Sequence, residues 1–221
     1  MLSDFQKQLV LKYQPRILMD KADPFPVRLI GCTVFSEPGM SPSFRNLLLD
    51  PQALGAKWIV EYAVYFDYDI QHLYDLEHIW VAIGEDGRVK DCQCSYHGMR
   101  MHASGLKAFR VEGTHPVLYC QPGKHAFFPD PELFHLHCQF HTCCRETAGG
   151  GLLIPDMLRD EMETDEARNA KIRSYIREHF TFDLTEDYER QTLENGIFVT
   201  WEELKEAIPR LVRAQLDIIF A

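Results

Sequence analysis

His72, Asp75, Glu77 and His78 stand close together in the stretch 67–81, DYDIQHLYDLEHIWV, between two apolar runs. A carboxylate taken out of water is costly unless it is paired or bound to a metal. Two acids and two imidazoles at a strand junction therefore call for a partner. A divalent cation is one answer. A hydrogen-bonded polar corner or a solvated loop is the other, and most short His/Asp/Glu clusters bind nothing. On an extended chain Asp75 and Glu77 point to the same face. His72 lies three residues earlier, so the chain must turn to bring it round. Asp67 and Asp69 lie at the end of the preceding run, and either can add an oxygen. A donor set rich in oxygen suits Mg, Ca, Mn or Zn better than a thiolate-type ion.

A second group follows the run 134–141, FHLHCQFH. As a strand it would carry His135, His137, Gln139 and His141 on one side. Asp130-Pro131-Glu132-Leu133 before it is a helix-start signature, so a short helix competes. Either period leaves His137 and His141 on one face. With Cys143 and Cys144 beyond them, a zinc-type site is conceivable; a solvated imidazole face is the plainer alternative.

The elements that must position these groups are mostly strands. Runs 16–19, 27–35, 58–66, 79–83, 88–94, 107–111 and 115–120 are β-branched, aromatic or apolar and are separated by turn residues. Gly84-Glu85-Asp86-Gly87 reads as a hairpin connection. Residues 3–13 read as a helix, with Ser3 and Gln6 as a capping box. Residues 36–57 are mostly loop, and Gly149-Gly150-Gly151 breaks the chain. Beyond it the composition turns charged and helical. Thr164-Asp165-Glu166-Ala167 opens a helix to about Phe180, with Ile172, Ile176 and Phe180 on its apolar side. Thr200-Trp201-Glu202-Glu203 opens another to about Ile219, with Pro209 inside it as an expected kink. The reading is mainly β, α+β overall. It expects a β domain at 1–155 and a helical extension at 156–221.

The bulk numbers exclude several classes. The chain has 221 residues, 46% hydrophobic, with a formal net charge of −10. Such an acidic chain is a poor partner for nucleic acid, whose phosphates it repels. No run is long enough to span a membrane, and the first residues do not resemble a secretion signal. The seven cysteines then read as reduced thiols of a cytoplasmic protein. Cys32, Cys92, Cys94, Cys120 and Cys138 lie in apolar or alternating runs and read as buried. There is no Ser-His-Asp elbow, phosphate-cradling Gly loop or dinucleotide fingerprint.

Several segments resemble one pattern in order over residues 9–155. LVLKYQP at 9–15 and DPFPV at 23–27 are similar to the opening of the vacuolar protein sorting protein 62 family. His72-Leu73-Tyr74-Asp75-Leu76-Glu77-His78 resembles that family's His-Glu-Gly-Asp-Trp-Glu-His, although Leu73-Tyr74 replaces its Glu-Gly and Leu76 its Trp. Ser95-Tyr96-His97-Gly98 resembles its Ser-x-His-Gly. His115-Pro116-Val117-Leu118-Tyr119 with Gly123-Lys124-His125 resembles its His-Pro-Val-x-Tyr and Gly-Ser-His. The layout is also similar to the necrosis- and ethylene-inducing-like proteins. The resemblance implies a two-sheet antiparallel β-sandwich. It implies a divalent ion on Asp67, His72, Asp75 and Glu77, with Asp69 as the alternative to Asp67. The secreted relatives' toxicity does not carry over to a chain without a secretion signal.

Two functions follow. In a metal-dependent hydrolase the ion would lower the pKa of a bound water. His97 and His125 would serve as acid, base or substrate ligand. Each has a plainer role, His97 as a capped strand end and His125 as a turn residue. In a non-catalytic module the cation would lock a surface that binds a small molecule, glycan, lipid or protein.

Overall fold

The structure is a computed structural model and describes residues 1–155 and 158–221. Helix α1 (Asp4–Tyr13) starts with the expected capping box, Ser3 and Gln6 bonding to each other's backbone. Pro15 separates it from β1 (Arg16–Asp20). Strand β2 (Leu29–Phe35) follows the Pro24–Pro26 turn, and a loop holding β3 (Gly39–Met40) and β4 (Leu48–Leu49) leads to the two longest strands. These are β5 (Trp58–Tyr68) and β6 (His72–Ile83), which form one antiparallel hairpin. Then come β7 (Val89–Tyr96), β8 (Met99–His102), β9 (Arg110–Glu112), β10 (His115–Cys120), β11 (Phe127–Phe128) and β12 (Gly151–Leu152). Helix α2 (Glu166–Phe180), β13 (Tyr188–Arg190), β14 (Phe198–Thr200) and α3 (Trp201–Phe220) complete the chain.

The larger sheet runs β14-β2-β5-β6-β7-β8, with β12 on β6; the smaller runs β11-β10-β1-β13, with β9 on β10. Both are open, and their side chains enter one apolar core: Ile17, Met19, Leu118 and Cys120 from the smaller sheet, Val64, Phe66, Ile79 and Val81 from the larger. The purely antiparallel sandwich is corrected to an α+β fold with mixed sheets. Among the described residues three pairs are parallel: β1 with β10, β6 with β12, and β2 with β14. Tight hairpins make only antiparallel neighbours, whereas partners far apart in the chain are free to run parallel.

The C-terminal segment is woven into this frame. β13 extends the smaller sheet and β14 the larger. Thr200 and Glu203 form the expected capping box of α3, which runs through Pro209 without a break. α3 lies close on β2: a Cβ on Gly31 would fall 3.1 Å from Leu204 Cβ and 3.3 Å from Trp201 Cα, so glycine eases that approach. The expected domain boundary, between residues 155 and 156, abuts residues 156–157, which lie outside the described residues. Among the described residues no helix is long and apolar enough to cross a membrane.

Two stretches differ from the expectation. The junction at 72–78 is strand, not loop, because apolar Leu73, Ile79 and Val81 continue the pairing of β6 past the polar residues. The 134–141 run is not a strand; a 3₁₀ turn (Pro131–Leu136), capped by Asp130 with Pro131 at its first position, takes the helix-start signature instead. Cys32, Cys92, Cys94 and Cys120 are buried thiols as expected, but Cys138 is exposed.

Candidate functional site

The β5–β6 turn is built by Asp69. Its Oδ1 accepts from Gln71 N (2.5 Å) and His72 N (2.6 Å), a side-chain-closed turn. Its Oδ2 accepts from Lys124 Nζ at 2.5 Å, and His72 Nε2 lies 3.3 Å away. The His72 ring is oriented by its other nitrogen, which donates to Tyr74 O at 2.7 Å. Tyr74 itself has φ +54°, a left-handed conformation that costs a bulky residue energy.

Asp75 and Glu77 follow on β6, both facing one cleft. Asp75 accepts from His125 Nδ1 (3.3 Å) and from Leu76 N (2.9 Å). Burial alone would raise its pKa, but the His125 hydrogen bond and the charges of His125, His72 and Lys124 bring it below the ordinary carboxylate value. Glu77 goes the other way. Burial and the neighbouring Asp75 charge push it up to about 8, against the hydrogen bonds from Ser95 Oγ and His97 N (3.0 Å). Two adjacent carboxyls are thus held in opposite protonation states at neutral pH.

His97 and Gly98 are the two-residue link between β7 and β8, and both have positive φ (+47° and +77°). That is what a tight type I′ hairpin demands. The turn puts the His97 ring into the cleft, where Nε2 donates to Gln121 Oε1 at 3.1 Å. Burial and the Lys124 charge lower its pKa. His125 (φ +58°) lies behind the acids. It is fully buried, stacked on Phe66 at 3.8 Å, and reaches the cleft only through Asp75.

The cleft has a volume of about 650 Å³. Its other wall is the 43–46 loop, with Phe44 edge-on to His78 at 5.2 Å. Fully buried Glu61 ties this loop down, accepting from Ser43 Oγ (2.5 Å) and Trp80 Nε1 (2.7 Å). His78 is buried among these rings. Burial pushes its pKa down to about 3, against the Asp75 charge and the Ser43 backbone beside the ring.

Of the expected ion ligands, His72, Asp75 and Glu77 share the cleft, together with Asp69. Asp67 does not; it pairs with Arg28 at 2.7 Å beside a separate hollow formed by Pro24–Pro26, Phe180 and Gln215. Phe66 pairs with Asp75 across the hairpin, so Asp67, one residue on, faces the other side of the sheet. Asp69 lies beyond the strand, in the turn. Several of these donors already have partners. Asp69 is engaged by Lys124 and two backbone N–H groups, Glu77 by Ser95 and His97. Among the described residues no group of three His, Cys, Asp or Glu could hold a metal. The second expected cluster also separates. Cys143 and Cys144 are buried with sulfurs 3.7 Å apart, His141 faces His135, and His137 lies near His97. Lys124, Gln121, Ser95 and Glu61 were not singled out as site residues. Lys124 had a faint signal, a lysine set between Gly123 and His125 after an apolar strand.

No family model and no curated protein matches the chain. Among solved structures the chain is similar to necrosis and ethylene inducing protein 2 from the causal agent of cocoa's witches' broom disease. The identity is 16% and the TM-score 0.36, covering 66% of this chain and 81% of that one. It is similar also to NLPPya in complexes with glucosamine and with mannosamine. In each the identity is 12% and the TM-score 0.40, covering 72% of this chain and 88% of that one. None of these findings supports the resemblance to the vacuolar protein sorting protein 62 family, and likeness at these scores carries no argument about activity.

Proposed function

We propose that the chain binds a small polar molecule, bearing hydroxyl or amine groups, in the cleft between the β5–β6 turn, the β7–β8 turn and the 43–46 loop. One observation carries this reading: Asp75 and Glu77 stand side by side in a single cleft with their pKa values driven apart. An ionised Asp75 accepts hydrogen bonds and attracts an amine. A protonated Glu77 offers a donor. Clefts of several hundred Å³ with a few convergent polar groups suit small ligands. Left-handed Tyr74, which no tight turn requires, is the kind of stored strain that clusters at such sites.

The same pair supports a second reading, a hydrolase working by acid–base chemistry. Glu77 would give a proton to a leaving group. Asp75, oriented by His125, would take one from water. No step in this reading needs an ion.

A thermal-shift screen with neutral sugars, amino sugars and polyamines tests the binding reading. A ligand at 100 times its Kd should stabilise the protein by about 2.7 kcal/mol, and Asp75→Asn should abolish the shift. Equal stabilisation of Asp75→Asn, or no response to any class, would sink it. For the hydrolase, Glu77→Gln should keep the shift and lose turnover.

A further inference from the structure

We infer that the Lys124 ammonium is the resident cation of this cleft, standing where a divalent ion would bind, so that the site is electrostatically complete without a metal. The inference concerns charge rather than ligand, and it stands whether or not the cleft binds a small molecule. Lys124 Nζ is 2.5 Å from Asp69 Oδ2 and 2.9 Å from Gln71 Oε1. Divalent ions sit about 2.0–2.6 Å from carboxylate oxygens, so an ion on this oxygen would compete with the ammonium for the same place. The two cannot share it, because like charges at that distance in a site shielded from water repel strongly. The side chains are 9% (Lys124) and 1% (Asp69) exposed, so this is a desolvated pair rather than a surface contact.

The ammonium is also held in position. Lys124 N and His125 N both donate to Gln121 O, at 3.1 and 2.8 Å. Gly123 on one side (φ +68°) accepts from Ile70 N at 2.7 Å and donates to Asp23 Oδ2 at 2.7 Å. His125 on the other side is left-handed and bonded to Asp75. Residues 121–125 are thereby stitched to the β5–β6 turn on one flank of the lysine and to β6 on the other. Its charge reaches beyond Asp69: it helps hold down the pKa values of Asp75 and His97 and opposes the rise in Glu77.

The test uses elemental analysis, thermal melting, and electron paramagnetic resonance with Mn²⁺ as probe, on the full chain and on Lys124→Ala and Lys124→Gln. Wild-type protein purified without chelator should carry well under one equivalent of divalent metal. Its Tm should be the same in EDTA and in millimolar MnCl₂ or CaCl₂. Each variant should melt roughly 5–15 °C lower, as expected for a buried pair that has lost one partner. Each should then regain stability with Mn²⁺ or Ca²⁺ and bind Mn²⁺ at one saturable site. If Lys124→Ala does not fold, Lys124→Gln carries the variant arm; if neither folds, the wild-type arm decides. One equivalent of metal in the wild type, removed by EDTA with a fall in Tm, would overturn the inference. So would folded variants indifferent to Mn²⁺, Ca²⁺ and Zn²⁺.

Discussion

Asp20 and Glu77 are both buried carboxyls, 2% and 4% exposed, yet their surroundings are opposite in kind. Asp20, at the end of β1, is saturated. Its oxygens accept from Ala22 N, Thr185 N, Thr185 Oγ and Glu186 N at 2.7–3.0 Å. It is a clamp that holds the approach to β13 against β1, and nothing is left over for a ligand. The Asp75–Glu77 region is open on one side and incompletely paired. Nε2 of His125 and Nε2 of Gln121 have no partner among the described residues. Buried polar groups are nearly always paired, and these two exceptions belong to residues bonded to Asp75 and to His97, which line the cleft. A carboxylate consumed by backbone donors is structural. One whose neighbours keep spare capacity and open onto a cleft is poised for something from outside.

The sharpest way to break this comparison is Asp20→Ala. It removes four hydrogen bonds to a charged acceptor and strands their donors, so stability should fall by about 3–5 kcal/mol. The fall would be read from urea unfolding, while the folded fraction should keep any cleft ligand. A loss under 1 kcal/mol would mean that Asp20 is not a clamp.

Glu77→Gln should act differently, through pH. The folded-state pKa of Glu77 is about 8, against an ordinary value of 4.5, so the folded chain binds more protons between those limits. Stability from this group is therefore present at low pH and is lost as pH rises from about 4.5 to 8. At about 1.4 kcal/mol per unit the drop is of the order of a few kcal/mol. His78 and His97, whose pKa values are lowered, add a rise with pH that both proteins share. The difference between the wild-type and Glu77→Gln urea midpoints should therefore shift by that amount across the range. Parallel curves would remove the idea that Glu77 is held protonated.

Glu61→Ala probes the wall between the two cases. Its hydrogen bonds from Ser43 and Trp80 tie the 43–46 loop to the sheet, so stability should fall by about 2–3 kcal/mol. Cleft affinity should fall with it, by isothermal titration; undiminished affinity would show that the loop is not part of the site. The smallest effect belongs to Arg145→Ala. Its paired hydrogen bonds to Asp183 are exposed to solvent, and the urea midpoint should stay within error of the wild type.

Much of the local structure is legible in the chain. Ser3 with Gln6 and Thr200 with Glu203 announce two helix starts, because a cap bonds residues three apart and needs nothing distant. The strands β1, β2, β5, β7 and β10 follow from β-branched and aromatic runs between turn residues. Grouping His72, Asp75 and Glu77 is also a local inference, since alternation along one strand sends the two acids to one face. His97 is also legible, because Ser95-Tyr96-His97-Gly98 at the end of a predicted strand places it at a turn, here the two-residue His97-Gly98 link between Tyr96 and Met99.

The parallel pairings, the departure of Asp67 toward Arg28 and the arrival of Lys124 were decided by tertiary structure alone. Asp69 and Lys124 are 55 residues apart, and Asp20 and Thr185 are 165 apart. Nothing near either partner encodes the meeting. A local pattern states that a carboxylate at the end of β5 needs a counter-charge. Whether a metal, an arginine or a lysine supplies it depends on which strand the rest of the chain lays beside it, and that is set by the packing of the core as a whole.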